Sequence, residues 1–264
     1  MTHPFFQGLE APLHISHRGG AGIYPENTLE AFGAALELYG TDVIELDLRL
    51  TKDGVLVVAH DETVERCTDG VGPVAGFTFA ELSKLDAAHT FTPDGVTRPF
   101  RERGIRIPAF VEVLRAFTKA RINVELKSED TLEPFAALVK AEGAVDRLCM
   151  GSEHDAIATE LVKRFPGGCH FYPRDALASF IMPVLAGEPP HDEGFFSVLD
   201  MPLEYEGVRL FTPALRHAAA KLGKWINVWT INDEAHMRAL IADGVGGIMT
   251  DLPDLLRRVI DEKR

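Results

Sequence analysis

Residues 43–60, VIELDLRLTKDGVLVVAH, carry the reading that decides the fold. The run 43–50 places acids at alternate positions among branched aliphatics, a strand pattern, and a second β-rich run follows at 55–58. Asp53-Gly54 between two such runs signals a hairpin. Read as a two-residue turn, it pairs Lys52 with Val55 and sets Asp47 opposite His60. Side chains alternate along a strand, so Glu45 and Asp47 point to the same side. Ionised groups on the outer side would lie under helices, so these acids are expected to face a barrel mouth.

Outward from this hairpin, short apolar runs alternate with amphipathic stretches. Further strands are expected at 13–16, 122–126, 147–150, 169–172, 195–199, 226–230 and 247–249. The first helix opens near Asn27 or Thr28, with Asn27 as its cap and Glu30 three residues on, and Gly40 stops it. Later helical patterns fall near 109–119, 132–142, 155–165, 175–185, 213–222, 233–242 and 253–260. Counting the hairpin as one strand plus an excursion, eight strands each precede a helix. That implies an α/β chain with parallel pairing and right-handed crossovers. At 264 residues the pattern favours a TIM (β/α)8 barrel spanning 1–264 as a single domain, with an open doubly wound sheet as the second choice. Residues 62–107 are rich in turn formers and charge, with one short helical candidate at 79–85. They read as a small insertion after the second strand and hairpin, lying over the catalytic end.

Lys and Arg number 27 against 40 Asp and Glu, a formal net charge of −13. Nucleic acids and anionic membranes favour basic surfaces, so neither is expected as the partner. No apolar run approaches the roughly 20 residues of a transmembrane segment, and the N-terminal stretch has no signal-peptide pattern. Cys67, Cys149 and Cys169 make no CxxC or Cys/His cluster, which speaks against a disulfide framework or a thiolate zinc site. A cytoplasmic protein is expected.

Four polar clusters fall where strands should end: His17-Arg18-Gly19-Gly20 with Pro25-Glu26-Asn27-Thr28, then Glu45-Leu46-Asp47, His60-Asp61 and Glu125-Leu126-Lys127. The carboxyl ends of barrel strands form one face, so these scattered sites become neighbours. Glu45, Asp47 and Glu125 would repel one another unless a cation sat among them. Carboxylate-only ligation suits one hard divalent ion, Mg²⁺ or Ca²⁺. Arg18 and Lys127 beside it make a pocket for an anionic phosphate. His17 and His60 then supply the acid and the base of phosphodiester cleavage. The other histidines have no partner pattern. His60-Asp61 suggests a hydrolase triad, but there is no GxSxG elbow, and no phosphate-binding glycine loop of the GxxxxGK[ST] or GxGxxG type.

At these residues the sequence resembles the glycerophosphodiester phosphodiesterase family. The matching pieces are HRGG at 17–20, PENT at 25–28, ELDLRLTKDGVLVVAHDETVERCTDGVG at 45–72, IP at 107–108, VELK at 124–127, VWTIND at 228–233 and TDLPDLL at 250–256. The resemblance implies a (β/α)8 barrel that hydrolyses glycerophosphodiesters to glycerol 3-phosphate and an alcohol with a divalent cation. It makes His17 and His60 the acid/base pair and Glu45, Asp47 and Glu125 the metal ligands. It gives phosphate contacts to Arg18 and Lys127 and a wall of the glycerol pocket to Trp229. Glu26 and Asn27 are expected to support His17, and Asp251 to serve either structure or substrate. The chain departs from the family in reading Gly151-Ser152-Glu153 and Leu252 where aromatics are frequent.

Two rivals share these residues. A lysophospholipase D would need an apolar groove, for which Phe77, Phe79, Phe91 and Phe100 are the candidates, although such aromatics more often build a small satellite core. A non-catalytic metal- or phosphoester-binding barrel would have no need of both histidines.

Overall fold

The computed structural model describes residues 3–262. The chain opens with a 3₁₀ turn, Pro4–Phe6, then β1 (Leu13–Ser16), α1 (Leu29–Leu38), β2 (Val43–Leu50) and β3 (Leu56–Val58). After α2 (Phe79–Leu82) and α3 (Phe110–Ala116) come β4 (Arg121–Leu126), α4 (Leu132–Ala141), β5 (Leu148–Gly151), α5 (Asp155–Arg164), β6 (Cys169–His170) and α6 (Arg174–Leu185). The last third holds β7 (Val198–Pro202), the short β8 (Glu204–Tyr205) and β9 (Val208–Arg209), and α7 (Pro213–Lys221). It ends with β10 (Trp225–Trp229), α8 (Glu234–Ala242), β11 (Gly247–Thr250) and α9 (Pro253–Asp261).

Eight parallel strands run in the order β6-β5-β4-β2-β1-β11-β10-β7. The seam between β6 and β7 is closed by a parallel bridge from Phe171 to Val198 and by the amide of Tyr172 donating to the Val198 carbonyl at 2.9 Å. The barrel expectation holds, and the open sheet falls. Among the described residues no helix is long and apolar enough to cross a membrane.

The hydrophobic mass sits in layers. Apolar faces of the helices cover the sheet from outside, with Phe32, Phe110 and Phe135 buried on one side and Phe180, Leu215 and Leu240 on the other. Inside the barrel, Leu13, Ile15, Val43, Cys149, Cys169, Val198 and Met249 form a third cluster, to which the N-terminal turn adds Phe5 and Phe6. Above that layer, Asp200 of β7 accepts from the amide of Asn123 of β4 at 2.6 Å and from that of Asn227 of β10 at 2.7 Å. Since β4 and β7 are not neighbours in the sheet, that link crosses the interior. Glu125 and Lys127 share the parity of Asn123, so they too face inward at the carboxyl end.

The hairpin corrects one expectation. Leu48 pairs with Val58, Arg49 with Val57 and Leu50 with Leu56, one residue away from the register of a two-residue turn. The connection is a three-residue loop ending on Gly54, whose φ of 80° supplies the left-handed residue that this turn requires. The Thr51 hydroxyl donates to Asp53 Oδ1 at 2.7 Å and accepts from the Val55 amide at 2.9 Å, favouring the longer loop. Asp47 therefore lies opposite Ala59, whose amide donates to its carbonyl at 3.0 Å, and His60 stands one residue further, beyond the ladder.

The insertion has its own small core of Val57, Val64, Val74, Leu82, Ile105 and Ile107. Phe77, Phe79 and Phe100 pack against that core, and Phe91 stacks edgewise on Phe100. The aromatics form a satellite core, which removes the observation that favoured an acyl groove. The short helix is present as α2, closed by a capping box between Thr78 and Glu81. The exposed β8–β9 ribbon has no counterpart in the sequence reading, and β7 begins three residues later than expected.

Candidate active site

The site is built at the carboxyl ends of β1, β2, β4 and β11. β1 ends in a tight turn at His17, Arg18, Gly19 and Gly20. A Cβ at Gly19 would meet Ala31 at 2.8 Å and one at Gly20 would meet Pro253 at 2.8 Å, so the turn packs between α1 and α9 only with glycine there. Arg18 holds φ 51° in the left-handed region, an uncommon conformation for a residue with a side chain. Its amide donates to Glu45 Oε2 at 2.9 Å, and its carbonyl accepts from the amide of Asn27 at 2.9 Å.

Asn27 is not the helix cap. Thr28 takes that place, its hydroxyl accepting from the Ala31 amide at 3.2 Å, while Asn27 sits at φ 58° and donates its side-chain amide to Asp47 Oδ2 at 3.2 Å. Nor does Glu26 support His17. It holds Arg18 Nη1 at 3.0 Å and also pairs with Arg66. The structure uses PENT to fix Arg18 and Asp47.

Asp47 and Glu125 stand side by side in the β2–β4 register, and Glu45 lies two residues back on β2. Lys127 Nζ lies 2.9 Å from Asp47 Oδ1 and 2.8 Å from Glu125 Oε2, and Arg18 Nε approaches Asp47 Oδ2 at 3.5 Å. Burial works against the Asp47 carboxylate, but Lys127 and Arg18 outweigh it and hold its pKa below the usual range. Glu45 has no such excess of cations. Burial, followed by the charge of Asp47, raises its pKa to about 7. Burial raises Glu125 as well, and Lys127 only partly opposes it.

His17 and His60 are each held at Nδ1 by an aspartate. His17 Nδ1 lies 2.6 Å from Asp251 Oδ1, at the end of β11, and its Nε2 is 4.0 Å from Glu45 Oε2. Asp251 is set in turn by Asn232, whose side-chain amide donates to Oδ2 at 2.7 Å and whose carbonyl oxygen accepts from the Asp251 backbone amide at 2.9 Å. Burial alone would lower the His17 pKa, but the bond to Asp251 and the charge of Glu45 raise it above its ordinary value. His60 Nδ1 lies 2.7 Å from Asp61 Oδ1, and Arg49 Nε donates to the His60 carbonyl at 2.8 Å. There burial prevails over Asp47 and Asp61, and the His60 pKa is lowered.

The acids, the cations and both imidazoles expected from the sequence therefore belong to one constellation. Trp229 ends β10 and packs against the interior cluster, with no polar contact that assigns it to a substrate. Three contributors went unread: Asn232, Arg66 and the orienting role of Asp251. The run VWTIND contains the first and TDLPDLL the last, but the bond from Asp251 to His17, which Asn232 supports through Asp251, spans 234 residues. At Gly151, a Cβ would meet the ring of Phe171, one residue past β6, at 2.5 Å, so that aromatic packs directly on the glycine.

The all-oxygen donor set, with Glu45 buried beside the charge of Asp47, fits a hard cation chemically. Among the described residues, however, no three His, Cys, Asp or Glu side chains are already arranged around one ion position.

Residues 17–164 match the model of the Glycerophosphoryl diester phosphodiesterase family. A glycerophosphodiester phosphodiesterase of Caldanaerobacter subterraneus subsp. tengcongensis is 34% identical over 257 residues, covering 94% of this chain and 97% of the relative. The crystal structure of a glycerophosphodiester phosphodiesterase from Agrobacterium tumefaciens is similar with a TM-score of 0.76 at 30% identity, covering 94% of this chain and 99% of that one. An Oleispira antarctica phosphodiesterase, solved in complex with the product sn-glycerol-3-phosphate, has a TM-score of 0.78 at 25% identity and covers 95% of this chain and 97% of its own. With more than half of its length inside the family model and a 34% identical relative matching nearly end to end, the chain belongs to the glycerophosphoryl diester phosphodiesterase family.

Proposed function

We propose that this protein hydrolyses small-molecule glycerophosphodiesters to sn-glycerol 3-phosphate and an alcohol, with the help of one divalent cation, Mg²⁺ or Ca²⁺. The observation that carries the reading is the pair of aspartate-held imidazoles beside one buried carboxylate–cation cluster. Glu45, Asp47 and Glu125 would hold the ion. When bound, it would polarise the phosphoryl oxygens and offset the charge of the three acids. Arg18 and Lys127 contact the phosphate, adding fixed positive charge in a site largely shielded from water. Trp229 walls the glycerol side.

The opposite shifts of the two histidines divide the proton work. His60, with its lowered pKa, is neutral near pH 7 and takes the proton from the attacking hydroxyl, either of water or of the glycerol 2-position, the latter giving a cyclic phosphate that water then opens to glycerol 3-phosphate. His17, with its raised pKa, is the better proton donor of the two and gives a proton to the alcohol oxygen as the bond to phosphorus breaks. Asp251 and Asp61 keep each ring turned so that Nε2 is free for this exchange.

A coupled assay for glycerol 3-phosphate tests the reading, using glycerophosphocholine and glycerophosphoethanolamine with and without EDTA. Product release that EDTA abolishes and added Mg²⁺ or Ca²⁺ restores is expected. Absence of chelator-sensitive product across a panel of headgroups would overturn it.

A further inference from the structure

Arg66 lies in the insertion, and the reaction as written gives it no part. Its guanidinium nevertheless grips two carboxylates at once. Nη1 and Nη2 donate to the two oxygens of Glu26 at 2.6 and 2.8 Å, and Nε donates to Asp61 Oδ2. Each carboxylate has a second partner that faces the site. Glu26 Oε1 also accepts from Arg18 Nη1 at 3.0 Å, and Asp61 Oδ1 meets His60 Nδ1 at 2.7 Å. Arg18, Glu26, Arg66, Asp61 and His60 thus form an unbroken chain of side chains. One end is the cation beside Asp47, and the other is the imidazole beyond the hairpin.

We propose that Arg66 is a positioning residue that aligns the phosphate-binding guanidinium of Arg18 with the imidazole of His60. The inference rests on the roles given to Arg18 and His60 above. Only a planar fork with several donors can hold a two-oxygen grip on one acid while bonding another, so lysine is no substitute. Stability alone does not account for the arrangement. The Arg66 side chain is 46% exposed, and ion pairs so open to water contribute little to folding. A cavity of about 30 Å³ is lined in part by Glu26, His60, Asp61 and Arg66, so the clamp borders open space rather than tight packing.

The test is steady-state hydrolysis of glycerophosphocholine by the full chain with saturating divalent cation. His60→Ala comes first: undiminished turnover there would sink the functional reading itself, whatever Arg66 does. With His60→Ala impaired, Arg66→Ala is expected to lower kcat about 10-fold or more and to raise KM about 3-fold or more. Asp61→Asn should lower kcat and Glu26→Gln should raise KM, since each cuts one arm. Adding Arg66→Ala to the Glu26→Gln/Asp61→Asn double variant should then cost less than about 3-fold, because the arms through which it acts are gone. Loss of the guanidinium leaves Asp61 with more of its charge for His60, so the acid limb of kcat/KM moves to higher pH in Arg66→Ala. A variant with unchanged kcat, KM and acid limb, whether or not its melting temperature falls, would overturn the proposal. So would a penalty that persists undiminished in the double-variant background.

Discussion

His17 and His60 are held by the same device, an aspartate on Nδ1, in two unlike parts of the molecule. His17 is mounted on the barrel: it leaves β1, its aspartate leaves β11, and the ring is 18% exposed against Glu45. His60 is mounted at the end of the hairpin, where the insertion begins: its aspartate is the next residue, and the ring is 35% exposed. Burial lowers the pKa of both. Only at His17 do the neighbouring acids, Asp251 and Glu45, reverse that; at His60 the charges of Lys127 and Arg18 join burial against Asp47 and Asp61. The comparison shows how one residue type is shifted in two directions within one site. The barrel mouth raises the pKa of its imidazole, and the end of the hairpin lowers that of the other.

Removing either ring tests this division most severely. His17→Ala and His60→Ala are each expected to lower kcat by about 10²–10⁴-fold, measured as glycerol 3-phosphate release. The two should then part company. A substrate with an acidic phenol as its leaving alcohol needs no proton donor, so it should recover much of the rate in His17→Ala and little in His60→Ala. Equal recovery in both would erase the distinction.

The orienting aspartates give the next effect. Asp251 raises the His17 pKa, so Asp251→Asn lowers it, and the alkaline limb of kcat/KM, where the acid loses its proton, moves to lower pH. Asp61 raises the His60 pKa against the stronger effect of burial, so Asp61→Asn moves the acid limb to lower pH. Both variants should lose about 10-fold or more in kcat at neutral pH. Limbs that stay in place would show that the aspartates hold geometry without tuning charge.

The barrel interior below the site titrates in another way. Burial raises the Asp200 pKa from 3.8 to about 6, although Asn123 and Asn227 both donate to its carboxylate. The native protein therefore holds a proton that the unfolded chain has released between these values, and stability falls as pH rises through that window. The cost is absent below about pH 4 and complete above about pH 6, where it amounts to about 3 kcal/mol. Urea unfolding of Asp200→Asn against the native sequence across pH 4–7 checks this, the variant showing a flatter profile.

The smallest effect concerns the hairpin that carries His60. Gly54 holds φ 80° with no heavy atom within 4 Å of a Cβ placed there, so Gly54→Ala meets backbone strain without a clash. A loss of about 1 kcal/mol in urea unfolding is expected. An unchanged midpoint would show that Gly54 is not held in the left-handed conformation.

Much of this architecture was legible in the chain itself. Alternation of period-two and helical runs sufficed for the barrel, because each strand must bury both faces and each helix one. Parity along 45–47 and 125–127 was enough to bring three acids and a lysine to one face, since side chains on a strand have only two sides to choose from. The turn at Gly54 was misread by one residue because Asp-Gly fits either loop, and the hydroxyl of Thr51 favours the longer one. Asn27 fits a helix cap by sequence because asparagine suits both a helix start and a left-handed turn, and only Asp47 across the site selects the second.

Local sequence thus determined which elements form, in what order, and which residues face the mouth, for these depend on neighbours a few positions away. Tertiary structure alone decided that Asp251 and Asn232 fix the first imidazole, that Arg66 spans from Glu26 to Asp61, and that neighbouring acids overcome burial at His17 but not at His60. Those outcomes follow from distances and desolvation between segments far apart in the chain, and neither exists until the barrel closes.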